Sequence, residues 1–325
     1  MVFYSEDKLK RVKEEYLKRS SNINSSRKIH LIGMGGSYLA TKAILDIIEP
    51  KVNINFVGPE LEYNFNDMSS NDYFIIVSKS GSTFEVKYII NKLGPRIHED
   101  NTTIITDKDS CLDLYAKKKG LKSILHTDKE IGGRFSAFDV STLFPLCVTG
   151  INIDNYISSI GDYSKEEFDN FLNTRKEKAD IELVSTNNKK LISFTRWYQQ
   201  LFAESQGKDG RGTFPTLILY PRDLHSLEQM IVDGRYKFIE TNFSSTETDI
   251  STAINNAALE SHRSEGIQIV EIKNLEPCLA KDELIIEVGR VISMMLDLVV
   301  EDSKRLGIDP FGQPGVEGYK RRLNT

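Results

Sequence analysis

The chain has 325 residues, 39% of them hydrophobic and 27% charged, with 42 basic against 47 acidic side chains and a formal net charge of -5. This length allows roughly two domains with substantial cores, and the charge balance excludes the global positive field that nucleic acid or an anionic membrane would require. The 3 cysteines, Cys111, Cys147 and Cys278, are far apart, with no CxxC pair and no histidine at metal-ligand spacing, so neither a metal site nor a disulfide framework is expected.

In chain order, Leu9, Val12, Tyr16 and Leu17 fall on one face of an N-terminal helix within residues 1–27, which polar SSNINSSR is expected to break. This stretch alternates charges and lacks the apolar core of a signal peptide, and no later run is apolar enough to span a bilayer, so a cytoplasmic location is expected. From residue 28 to about 150, KIHLIGM, NINFVG, DYFIIVS, TTIITD and LKSILHT read as buried strands, separated by the helical patterns SYLATKAILDII and STFEVKYIINKL. Residues 151–189 are polar and weakly helical and read as a connection. Over 190–325 the alternation resumes with KLISFT, TLILYP, KFIETNF and GIQIVEIK as strands and KDELIIEVGRVISMMLDLVVEDSKRLG as a long helix. The expected fold class is α/β: two αβα sandwiches with mainly parallel central sheets.

Three glycine-bearing loops in the first half could carry chemistry. GMGGS (Gly33–Ser37, with Gly35 and Gly36 paired) joins the first strand to a helix, where backbone N–H groups can converge on an anion. The spacing is neither GxGxxG nor a Walker A loop, and a tight turn that simply needs glycine torsions is an equal reading. SKSGSTFE places Ser78, Lys79, Ser80, Gly81, Ser82 and Thr83 at the end of the third strand, a composition suited to a phosphate. A capping box from Ser82 to Glu85 explains one or two of these hydroxyls but not the set. Both loops would emerge at the carboxyl ends of parallel strands, where open α/β sheets bind ligands. In GGRFS, Gly132 and Gly133 allow Arg134 a close approach to a substrate oxygen; a surface salt bridge is its other reading.

In the second half, LFAESQGKDGRGT puts Glu204 in the last turn of a helix that Gly207 ends. The partial negative charge there disfavours an anion, so the carboxylate is either a tolerated surface group or a proton-transferring base held nearer neutrality. DLHSLEQ places His225 near a helix start after TLILYP, and a carboxylate and a histidine at corresponding loop ends would form an acid–base pair. In GIDPFGQPGVEGYKRRL, Pro310, Gly312, Pro314 and Gly315 fix a turn ahead of Lys320, which taken alone is a solvated helix-end cation.

Taken together, GMGGS, SKSGSTFE, GGRFS, AESQGKDGRGTFP, DLHSLEQ and DPFGQPGVEGYK resemble, in order, the signature segments of the phosphoglucose isomerase family, whose chains carry paired sugar isomerase (SIS) domains. The resemblance implies reversible aldose–ketose isomerisation of glucose 6-phosphate and fructose 6-phosphate, without metal or cofactor. By position it implies that Glu204 moves a proton between C1 and C2 through a cis-enediol, that Arg134 stabilises the enediolate, and that His225 and Lys320 assist ring opening. Gly35, Gly36, Ser37, Ser78, Lys79, Ser80, Thr83 and Gly133 would line the phosphate and substrate site. In the family the histidine reaches the neighbouring subunit's site, which implies a homodimer with a shared active site.

This chain departs from the family in several places. It is shorter, Ser80 and Ser82 stand where some members have threonine, Val86 replaces a hydroxyl or proline, and Asp309 and Gly312 replace an asparagine and an aspartate near the C-terminus. An isomerase of another C6-anionic hexose, such as mannose 6-phosphate or a 6-sulfo sugar, and a non-catalytic sugar-phosphate-binding protein are the alternatives.

Overall fold

The computed structural model describes residues 4–325 apart from 53, 60–62, 176–178, 246–247, 274, 276–278, 317, 319–321 and 323–325. Lys320 and Cys278 lie outside the described residues. The chain divides into two compact units, one built from residues up to Leu45 and from Glu49 to Ile153, the other from Asp46 to Ile48 and from Asp154 to Gly318.

The N-terminal unit opens with α1 (Glu6–Ser25), capped by the Ser5 hydroxyl and carrying Glu6 and Asp7 in its first turn, where the helix dipole favours acids. Two details differ from the sequence expectation. Leu17 is 69% exposed, and the helix continues through most of SSNINSSR, because Ile23 extends the buried face that Val12 begins and packing overrides the weak propensity of Ser and Asn.

Five strands follow: β1 (Ile29–Ile32), β2 (Ile54–Val57), β3 (Tyr73–Val77), β4 (Thr102–Thr106) and β5 (Ile124–His126). They form a sheet of order β2-β1-β3-β4-β5 in which every pairing is parallel. Helices α2 (Leu39–Ile48), α3 (Phe84–Leu93) and α4 (Cys111–Lys119) alternate with the strands, and α5 (Val140–Val148) closes the unit. Continuous burial of β1, β3 and β4 is what strands inside a parallel sheet require. Ile32, Phe74, Ile76 and Ile104 of the sheet pack with Val86, Ile89, Leu93 and Leu112 of α3 and α4. The strand order reverses at β1, so the carboxyl ends of β1 and β3 flank the topological switch point where such sheets take ligands.

The other unit carries α6 (Ile153–Ser158), α7 (Lys165–Thr174), α8 (Ile192–Gln206), α9 (Leu224–Asp233), α10 (Asp249–Ser264) and α11 (Lys281–Arg305). Its strands are β6 (Ile181–Thr186), β7 (Phe214–Leu219), β8 (Phe238–Phe243) and β9 (Gln268–Ile272), in the parallel order β7-β6-β8-β9. Here the sequence expectation is corrected. KLISFT is not a strand: it leads into α8, with Leu191, Phe194, Thr195, Tyr198, Leu201 and Phe202 buried at helical spacing. The strand is IELVST, inside the segment read as a polar connection. Glu182 interrupts its apolar run, yet that carboxylate is buried and accepts from Arg175, Tyr198 and Thr241.

Candidate active site

Three loops meet in the N-terminal unit, and glycines decide how closely. Gly35–Ser37 forms a 3-10 turn directly after β1, and Gly35 has a φ of +52°. A Cβ on Gly36 would stand 2.4 Å from the carbonyl carbon of Gly133 and 2.6 Å from the nitrogen of Arg134, so the two backbones touch because neither has a side chain between them. Ser136 Oγ fastens the contact, at 2.7 Å from the Gly133 carbonyl and 3.2 Å from that of Gly36. Arg134 lies in the 3-10 segment Gly133–Phe138, is 3% exposed and sets its guanidinium 5.1 Å from the Phe135 ring centroid. Arg134 is therefore not a surface side chain.

The loop after β3 is shaped by its carbonyls. That of Ser78 accepts from Thr106 Oγ1 (2.6 Å), that of Lys79 from Asp107 N (3.0 Å) and that of Ser80 from Cys111 N (3.2 Å). In a planar trans peptide the next N–H points opposite to the carbonyl, so the amides of Lys79 and Ser80 face away from β4 and α4, as an anion-binding nest requires. Gly81, at φ +65°, passes so close to Leu112 that a Cβ would lie 2.2 Å from its nitrogen. Ser78 Oγ accepts from Gly81 N at 3.2 Å and stands 3.4 Å from Thr83 Oγ1, while Ser80 and Ser82 share a 2.7 Å hydroxyl contact. The N-cap of α3 is Thr83, without a side-chain cap bond, so the Ser82–Glu85 capping box does not form. Lys79 Nζ donates to the carbonyls of Asp128 (2.9 Å), Lys129 (2.8 Å) and Ile131 (2.7 Å).

In the other unit Glu204 sits, half-buried, in the last turn of α8, which Gly207 caps through its N–H to the Ala203 carbonyl. Gln200, one turn earlier, donates to Glu204 Oε1 at 2.9 Å. Because α8 returns from the carboxyl end of β6 to the start of β7, this turn lies at the amino edge of the sheet. Gln199 Nε2 accordingly reaches the carbonyl of Pro215, the second residue of β7, at 2.8 Å. His225 follows the far end of β7 and is exposed on the first turn of α9. The two therefore do not occupy corresponding loop ends, and the acid–base pair expected from the sequence is not made within this unit. Asp223 fixes the entry to α9: its carboxylate accepts from Arg222 and from Leu219 N (2.8 Å), and the arginine above all holds it below the usual carboxylate range.

The chain is similar to known proteins along most of its length. A glucose-6-phosphate isomerase of Mycoplasmopsis synoviae is 28% identical over 377 aligned residues, covering 96% of this chain and 86% of the relative. One of Fusobacterium nucleatum is also 28% identical, covering 99% and 84%. Glucose-6-phosphate isomerases are homologues of this chain. The crystal structure of a glucose-6-phosphate isomerase from Chlamydia trachomatis superposes with a TM-score of 0.73 at 17% identity, covering 96% of this chain and 72% of that one, a likeness of fold. No family model matches the chain.

Some residues around the loops carried no signal of their own. Thr106 and Asp107 read only as the end of a strand, yet they anchor the Ser78 and Lys79 carbonyls; Gln200 is legible only as the i,i+4 neighbour of Glu204. Asp309 accepts from Phe311 N at 3.0 Å, closing a local turn of a kind that an asparagine would also make. Among the described residues no three His, Cys, Asp or Glu side chains group as metal ligands, and no helix is long and apolar enough to cross a membrane.

Proposed function

We propose that this chain catalyses the reversible isomerisation of glucose 6-phosphate and fructose 6-phosphate, through a cis-enediol and with Glu204 as the base. The observation that carries the reading is the outward-facing Lys79 and Ser80 amides, with the Ser78 and Thr83 hydroxyls beside them, at the switch point of the first sheet, in a chain whose relatives are named for this reaction. Ser37, Ser78, Ser80 and Thr83 hold the phosphate, Lys79 stands at the edge of that set, and Gly35, Gly36 and Gly133 let the sugar approach the backbone.

A proton beside a carbonyl is very weakly acidic in water, so the reaction needs a positioned base and fixed charge for the enediolate. Glu204 takes the proton from C2 of the aldose and returns it to C1, while the hydroxyl proton passes from O2 to O1. Arg134 holds the developing negative charge, and its burial strengthens that interaction. His225 and Lys320 assist ring opening. The placement of Glu204 and His225 at opposite edges of one sheet supports a homodimer in which each copy lends its histidine to the other. The protein works in the cytoplasm, on a phosphorylated sugar and without a cofactor.

Solvent-isotope exchange tests the reading. Fructose 6-phosphate in deuterated water should gain deuterium at carbon during turnover, and Glu204→Gln should abolish that exchange while phosphate still binds. Turnover of mannose 6-phosphate or a 6-sulfo sugar, but not of glucose 6-phosphate, would refute the assignment of substrate.

A further inference from the structure

We propose that Lys79 is a positioning residue, which ties the arginine loop to the phosphate loop instead of binding the phosphate itself; this rests on the isomerase reading above. An ammonium group has three N–H donors, and the three short contacts of Lys79 Nζ all end on main-chain carbonyls, those of Asp128, Lys129 and Ile131. No donor is left over for an anion. Its charge is matched by Asp107 Oδ1 at 3.6 Å, and that oxygen also accepts from the Thr127 hydroxyl. The loop at 128–131 needs such a partner, because it belongs to neither helix nor strand and turns three carbonyls to one point.

The consequence lies three residues further on, at Arg134. Ile131 leads into Gly132, Gly133 and Arg134, whose backbone rests against Gly36 and is pinned by Ser136. Lys79 itself leaves β3 between Ser78 and Ser80, inside the phosphate loop. One side chain thus joins the loop that orders around phosphate to the loop that aims the guanidinium. Binding energy gathered at the phosphate, remote from the reacting carbons, then holds Arg134 where charge develops, which is the use of remote binding that raises kcat.

Amide hydrogen exchange on the full-length protein tests this first without any substitution. Inorganic phosphate should slow exchange at residues 79–83 and leave it unchanged or slower at 130–135. Faster exchange at 130–135 with phosphate bound would mean that the ammonium had left the carbonyls for the anion, and would overturn the proposal.

Two variants supply the second arm. Lys79→Met, without any anion, should raise exchange at 130–135 by about tenfold, and Lys79→Arg, which keeps donors, should recover most of the protection. Unchanged exchange in Lys79→Met overturns the clamp whether or not the protein turns over sugar phosphate. In the isomerase assay, Lys79→Met should lower kcat by about a hundredfold with KM for fructose 6-phosphate within about threefold of wild type. A raised KM with kcat retained would make Lys79 a phosphate ligand. If the wild-type protein has no turnover, the isomerase reading fails and the exchange data alone decide the clamp.

Discussion

Glu204 and His225 stand at opposite edges of the same four-stranded sheet, with the six-residue strand β7 between them. At about 3.3 Å per residue that strand spans roughly 20 Å, far beyond hydrogen-bond reach. If both residues serve one reaction, the histidine must come from a second copy. Glu204→Gln and His225→Ala should each be inactive alone, whereas subunits mixed and reassembled should regain about a quarter of wild-type activity: half the dimers are mixed, and each mixed dimer holds one intact site. Mixtures that stay inactive would show that each chain uses its own histidine or none.

The contact between Gly36 and Gly133 is asymmetric. A Cβ on Gly36 meets backbone at 2.4 Å, which no rotamer change can relieve, whereas a Cβ on Gly133 would find its nearest neighbour at 3.6 Å, an ordinary contact. Gly36→Ala should destabilise the protein by about 1–3 kcal/mol, and Gly133→Ala by well under that. Thermal unfolding of the two variants checks this; equal losses would mean that the loops separate easily and that the close approach is not required for folding.

His262, fully buried on α10, bridges Glu240 Oε2 at 2.7 Å and Glu228 Oε2 at 3.1 Å, and so ties α9 to the sheet. Burial alone would lower its pKa, but the hydrogen bonds and charges of the two glutamates outweigh that and raise it above the ordinary value. A raised folded-state pKa adds stability that is fully present below the unfolded value of about 6.5 and is lost as pH rises through the folded value. His262→Gln should therefore cost more stability at about pH 6, up to about 3 kcal/mol, than at about pH 9. Urea midpoints at the two pH values measure this, and a gap that does not narrow with rising pH would mean that His262 is neutral in the native protein.

Much of this was legible in the sequence because the first unit obeys local rules. DYFIIVS and TTIITD are short apolar runs bounded by turn residues, and each glycine loop follows such a run, so strands and loops declared themselves together. In the second sheet Glu182 hides the strand IELVST, because it breaks the apolar pattern and its partners lie outside the strand, at Arg175 after α7, Tyr198 on α8 and Thr241 on β8. KLISFT misled for the complementary reason: a short apolar run has the same composition in a buried strand as at the start of a buried helix. Lys79 was recognisable as a cation in a hydroxyl-rich loop, but the direction of its ammonium depends on carbonyls some fifty residues later, to which no local pattern points.

The last turn of α8, which presents Glu204, has an anchor of its own. Gln206 is buried and donates to Asp302 Oδ2 at 2.9 Å, and its Oε1 lies 3.4 Å from a guanidinium nitrogen of Arg175. Arg175 also holds Asp302 at 2.8 Å and Glu182 at 2.5 Å, and its guanidinium carbon lies 4.6 Å from the Phe202 ring centroid. Gln206→Leu keeps the bulk but leaves Asp302 short of one buried donor, which should cost about 1–3 kcal/mol. If this anchor orients the base, the variant should lose about tenfold in kcat with little change in KM, since the proposed phosphate contacts belong to the N-terminal unit. Steady-state kinetics beside a urea melt separate the two effects. Lost stability with kcat intact would mean that the Gly207 amide on the Ala203 carbonyl, at 2.9 Å, is enough to hold the turn.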